Sequence, residues 1–153
     1  MTGGTFKHSS LALRFRDALF RQLPSKQWAV SVHDRGVETE ETIRYPDVVV
    51  EPLPVDPHSL STAAPAIVVE IISRTSEKRD LGAKPMEYPS LTSLHAYIAA
   101  SQDGPECWIW QRGPQGAFLV EPMRIVGHEE IIAVASLGVK LELAEIYAGG
   151  AYG

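Results

Sequence analysis

Apolar and polar positions change their period several times along the chain, and each change marks an element. In "SSLALRFRDALFRQL" (residues 9–23), Leu11, Phe15, Ala18 and Leu19 recur at helical spacing, with Ser9 or Ser10 as the expected cap and Pro24 as the stop. "WAVSVH" (28–33) alternates as a half-buried strand does, and "DRG" turns it toward a polar partner strand near 37–43. "DVVV" (47–50) and "AIVVEII" (66–72) are continuous β-branched runs, the pattern of central strands buried on both faces. "SEKRDLGAKPMEY" (76–88) reads as a helix weakened by Gly82 and Pro85. "LHAYIAAS", the turn "QDGP" and "ECWIWQR" form a hairpin, and "GPQG" leads into a further strand, "AFLVEP". The tail, "IIAVASLGVKLELAEIY", supplies one or two last strands and a short helical turn, before a loose "AGGAYG". The sum is one α/β domain over residues 1–153: a central mixed β-sheet with a helix on each side.

Composition adds limits. At 153 residues, 44% hydrophobic, the chain suits a single folded domain with a real core. No apolar run reaches the roughly 18 residues of a membrane helix. The single cysteine, Cys107, excludes an internal disulfide and every paired-cysteine zinc motif, and implies a reducing, cytoplasmic location. A net charge of −5 argues against a surface built for nucleic acid, yet acids gathered to hold a metal add negative charge of their own. Positive charge is concentrated in the first helix (Lys7, Arg14, Arg16, Arg21) and after the second run (Arg74, Lys78, Arg79, Lys84).

The two apolar runs each contain an acid, Asp47 and Glu70. An ionised carboxylate in a dry core costs several kcal/mol unless it is paired, protonated or bound to metal. Strand alternation puts Asp47, Val49 and Glu51 on one face, and Val68, Glu70 and Ile72 on one face. If the strands are neighbours, Asp47 and Glu70 converge at one end of the sheet. With a main-chain carbonyl, that of Ile71, and water they make an oxygen site suited to Mg²⁺ or Mn²⁺. The plain alternative has Asp47 capping a turn after Pro46 and Glu70 paired with an arginine.

"PD" at 46–47, "VVEIIS" at 68–73, then Asp80, Lys84 and Tyr88, followed by "LHAYI" and a hairpin, resemble the Uma-two family, described as putative restriction endonucleases, within the PD-(D/E)XK nuclease superfamily. The resemblance runs from about His8 to Tyr147. It implies a restriction-endonuclease-like core, Mg²⁺-dependent hydrolysis of DNA phosphodiesters, and Asp47 and Glu70 as the two acids. The superfamily lysine stands two residues after the second acid, where this chain has Ile72; the family pattern moves it to the following helix, as Lys84, with Lys78 the runner-up. Pro85 directly follows Lys84 and disfavours helical backbone in the residue before it. His8 matches a family histidine, either lining the site or capping the helix. The family pattern also has an N-terminal segment carrying another acid; its absence from this sequence implies weaker metal binding.

Other signals are decoys or rivals. "HEEII" (128–132) has Ile132 where a zinc-binding pair needs a second histidine, and the five histidines form no i, i+4 pair. Trp108 and Trp110 share a strand face, as core or as the contact of a homodimer. The competing function is a non-catalytic nucleic-acid- or protein-binding domain on the same fold; a third is an assembly module joined through the tryptophan strand.

Overall fold

The computed structural model describes residues 4–73, 81 and 87–149. Helix α1 (Phe6–Gln22) starts three residues before the amphipathic pattern does. Its cap is Thr5, not Ser9 or Ser10: the Thr5 hydroxyl accepts the His8 N–H at 3.2 Å. The first turn carries exposed Phe6, so apolar periodicity could not reveal it. The buried stripe is Leu11, Ala12, Phe15, Ala18 and Leu19.

Six strands form the main sheet: β1 (Trp28–Val32), β4 (Val48–Pro52), β6 (Ile67–Ile72), β7 (Ala96–Ser101), β8 (Glu106–Gln111) and β9 (Met123–Val126), in that spatial order. Only β6 and β7 run parallel; β1–β4, β4–β6, β7–β8 and β8–β9 are antiparallel, so the sheet is mixed as expected. β4, apart from Pro52, and all of β6 are buried on both faces, as continuous β-branched runs require. Short strands β2 (Gly36–Glu38), β3 (Ile43–Arg44) and β5 (Ser61–Thr62) make a second, three-stranded sheet in the order β3–β2–β5. Gly36 is forced by that packing: a Cβ there would stand 2.8 Å from Ile43 Cγ2 and 3.1 Å from Ser61 Cβ. β10 (Ile131–Val134) and β11 (Val139–Glu142) form a hairpin, and α2 (Leu143–Ile146) is the last helical turn. Gly138 joins the hairpin's halves at φ 68°, a left-handed position that favours glycine.

Side-chain alternation splits the core in two. On one face Val48, Val50, Ile67, Val69, Ile71 and Ile98 pack against α1, β10, β11 and α2. On the other, Val49, Val68, Ile72, Tyr97, Trp108 and Trp110 pack with Val37, Tyr88 and Leu94. The tryptophans are therefore core side chains, 8% and 5% exposed, on a strand bonded on both sides. They offer neither an open sheet edge nor a free surface for a dimer contact.

Two strand expectations shift. "AFLVEP" contributes only the isolated bridge Phe118–Arg112, and the sixth strand begins at Met123. Pro122 has no N–H to extend a ladder from Phe118, so pairing resumes only after it. The expected helix over 76–88 falls mainly outside the described residues; of its end, Tyr88–Ser90 is a single 3₁₀ turn. No helix among the described residues is long and apolar enough to cross a membrane.

Candidate active site

Asp47 stands one residue before β4, and the backbone fixes it from two sides. Its N–H donates to Val69 O at 3.1 Å, and its carbonyl accepts the His33 N–H at 2.9 Å. The antiparallel register of β4 and β6 ends at Val48–Val69, one residue short of Asp47. Asp47 thus stands just beyond the paired part of β4, and Glu70 lies within β6. Pro46 cannot donate to continue the ladder, and the Asp47 side chain takes over: Oδ2 accepts the Ile71 N–H at 2.8 Å. Oδ1 lies 3.1 Å from His8 Nε2 and 3.8 Å from His33 Nδ1.

His8 is thus the side-chain partner of Asp47 within hydrogen-bond reach. Its hydrogen bond to Asp47 raises its pKa above the ordinary imidazole value, outweighing the burial that opposes it. His33 follows β1 in the left-handed region, φ 64°, and its ring stacks on His8 with centroids 6.2 Å apart. No local spacing signals this histidine pair, because residues 8 and 33 come together only through the packing of α1 on β1.

Glu70 occupies the middle of β6 and is 4% exposed. Its neighbour in β7 is Ala99, too small to crowd the carboxylate. The Tyr88 hydroxyl donates to Glu70 Oε1 at 3.2 Å. Burial, and then the Glu70 charge, push the Tyr88 pKa upward, so the phenol remains a donor. The Tyr88 ring stacks on Tyr97 with centroids 4.9 Å apart, and Tyr97 in turn tilts against Trp110. The residue before it, Glu87, grips Arg44 of β3 with both oxygens, the Nε–Oε2 distance being 2.7 Å. That hydrogen bond is the main reason the Arg44 guanidinium is held charged, and Tyr88 and Glu70 add smaller contributions. Neither the arginine clamp nor the Tyr88–Glu70 bond was readable from spacing.

A second buried acid, Glu51, lies in β4. Arg35 pairs with it through both oxygens, at 2.7 and 2.9 Å, and also donates to Ser59 O and Oγ. This pair closes its own charges and leaves nothing for a ligand.

Lys84, Lys78 and Asp80 lie outside the described residues. Of the remaining assignments, Asp47 meets the Ile71 backbone through its N–H, and Glu70 is the residue before Ile71 in β6. Among the described residues, no three His, Cys, Asp or Glu side chains are grouped to hold a metal. The oxygen donors that are present, two carboxylates and a backbone carbonyl, are of the kind Mg²⁺ and Mn²⁺ prefer.

Comparison with known proteins gives this geometry a context. A Synechocystis protein called "Uncharacterized protein slr1290" is 26% identical over 155 residues, spanning 99% of this chain and 80% of that one. The crystal structure of "a putative nuclease belonging to DUF820" from Anabaena variabilis superposes with a TM-score of 0.68 at 14% identity, covering 95% of this chain and 82% of that chain. At that identity the match establishes a shared fold, the nuclease-like mixed sheet with flanking helices. The model of the Uma-two (Uma2) family, described as "Putative restriction endonuclease", matches residues 1–144, and the chain belongs to that family.

Proposed function

We propose that this protein is a metal-dependent endonuclease that hydrolyses DNA phosphodiester bonds. The observation that carries the reading is the tie between Asp47 and β6: its Oδ2 accepts the N–H of Ile71, the residue that follows buried Glu70. Family membership supports the reading independently. Asp47, Glu70 and the Ile71 carbonyl would hold the ion, Mg²⁺ or Mn²⁺. When bound, such an ion polarises the phosphodiester and lowers the pKa of an attacking water.

The chain's own groups do the positioning. Ile71 N–H and His8 fix the two oxygens of Asp47, so its carboxylate is oriented before any ligand arrives. Glu70 is held by the Tyr88 hydroxyl. Ile72 is buried among apolar residues and cannot meet charge developing on phosphate. Lys84 is the residue we assign to that charge, acting electrostatically. The substrate is DNA, the working form is a homodimer able to meet both strands of a duplex, and the location is the cytoplasm. Cys107 fits a reducing compartment: it is buried, free, and burial pushes its thiol up to about 12.

One observation favours the non-catalytic reading. Asp47 already has a side-chain partner in His8, 3.1 Å from its Oδ1, that holds the acid without a metal. Nicking of supercoiled plasmid DNA separates the two. The nuclease reading expects cleavage in Mg²⁺ or Mn²⁺ that EDTA abolishes and that Asp47→Asn and Glu70→Gln each lose. A folded wild type that leaves plasmid intact in both metals, or cuts equally well in EDTA, overturns it.

A further inference from the structure

We infer that Tyr88 is a positioning residue for Glu70, and that the Arg44–Glu87 pair is the clamp that holds Tyr88 in place. The inference rests on the metal-site reading of Asp47 and Glu70. A glutamate at mid-strand has three rotatable bonds, and a metal ligand must present its oxygens in one direction. Asp47 is short and is fixed by a backbone N–H and an imidazole. Glu70 is longer and receives the Tyr88 hydroxyl at 3.2 Å.

That hydroxyl is itself fixed. Tyr88 is fully buried, 0% exposed, with its ring against Tyr97. It opens a 3₁₀ turn whose preceding residue, Glu87, is gripped through both oxygens by Arg44. Arg44 belongs to the three-stranded sheet, an element separate from the strands carrying the acids. A bidentate guanidinium–carboxylate pair fixes orientation as well as distance. The path therefore runs from β3 through Arg44 and Glu87 to Tyr88, and from its hydroxyl to the carboxylate in β6. It gives the small sheet, which supplies neither acid, a part in the site.

A buried hydroxyl on a carboxylate could also serve stability alone, so the test reads metal affinity as well as folding. The measurement is Mn²⁺ binding to the full chain by calorimetry, beside thermal unfolding and plasmid nicking across Mn²⁺ concentrations. Groups that hold a metal ligand from behind typically change affinity 10–100-fold when removed. Tyr88→Phe is expected to raise the Mn²⁺ Kd by about that factor, 10–100-fold, and saturating Mn²⁺ should recover most of the nicking. Tyr97→Phe, which deletes the hydroxyl of the stacked ring, should leave the Kd unchanged. Tyr88→Phe that loses stability but binds Mn²⁺ as tightly as wild type overturns the inference and leaves the metal site standing. Wild type that binds no Mn²⁺ removes the metal site and the inference with it. Should Tyr88→Phe fail to fold, Arg44→Gln decides: a weakened Mn²⁺ Kd supports the clamp, and a folded variant with unchanged Kd overturns it.

Discussion

Replacing Arg35 with methionine removes one half of the best-enclosed ion pair among the described residues. Arg35 and Glu51 side chains are 11% and 7% exposed, and the guanidinium makes two bonds to the carboxylate and two to Ser59. Methionine keeps the length of the apolar stem but none of the donors. Glu51 is then left as a carboxylate that water barely reaches, and breaking such a pair from one side costs about 3–5 kcal/mol. The Ser59 carbonyl adds roughly 1 kcal/mol for its lost donor. Each kcal/mol moves the midpoint of a domain this size by about 2–4 °C, so the 3–5 kcal/mol alone lowers Tm by roughly 6–20 °C. Removing both charges is a different perturbation. Arg35→Met with Glu51→Met leaves no orphaned ion, and double apolar replacement of a buried pair is often neutral. The double variant should therefore recover most of the loss. Urea unfolding followed by circular dichroism on wild type, both single variants and the double gives the coupling directly. A single-variant cost below about 1 kcal/mol, or a double variant no better than Arg35→Met, would show that the pair is not desolvated as its burial implies.

His8 makes stability pH-dependent in a defined direction. Its folded pKa is raised, so the contribution is complete below the unfolded value near 6.5 and is lost as pH rises through the higher folded value. Wild type should exceed His8→Gln by about 1 kcal/mol at pH 6 and by less at pH 9; a gap that stays constant in urea titrations refutes the pair. Mg²⁺ at a hundred times its Kd should stabilise wild type by about 2.7 kcal/mol and Asp47→Asn not at all, and equal thermal shifts in the two would take Asp47 out of the site. Lys84→Ala should lose about 10²–10³ in nicking rate while keeping metal affinity, with Lys78→Ala losing little; the reverse ranking transfers the role to Lys78.

The central strands were legible because unbroken runs such as "IVVEII" have one stable solution, burial on both faces. The acids were legible for the complementary reason: a charge within such a run demands an explanation. What covers each face was less visible. The strand Met123–Val126 alternates weakly and is mostly exposed, so its pairing with β8 depends on tertiary contact rather than on pattern. The partners of the acids were hidden for a similar reason. His8 reaches Asp47 across 39 positions of chain, and Arg44 reaches Glu87 across 43; no local period encodes either. Arg35 and Glu51, only 16 apart, were missed because a polar residue next to a turn reads as solvated.

Gln22, at the end of α1, reaches Lys140 of β11 and bonds both its carbonyl and its N–H, at 2.7 and 2.8 Å. Arg21 pairs with Glu145 and Arg14 with the Ala148 carbonyl, so the first helix is stitched to residues 118–134 positions later. The apolar stripe of α1 shares its core with Ile132, Val134, Val139 and Leu141. A chain emerging from a ribosome therefore makes its first helix early and must wait for nearly the last strand before that helix is fully covered. Through that interval Leu11, Phe15 and Leu19 lack part of their final partners. Synthesis of this domain is thus a period of exposure that ends almost at once, when the closing hairpin is released.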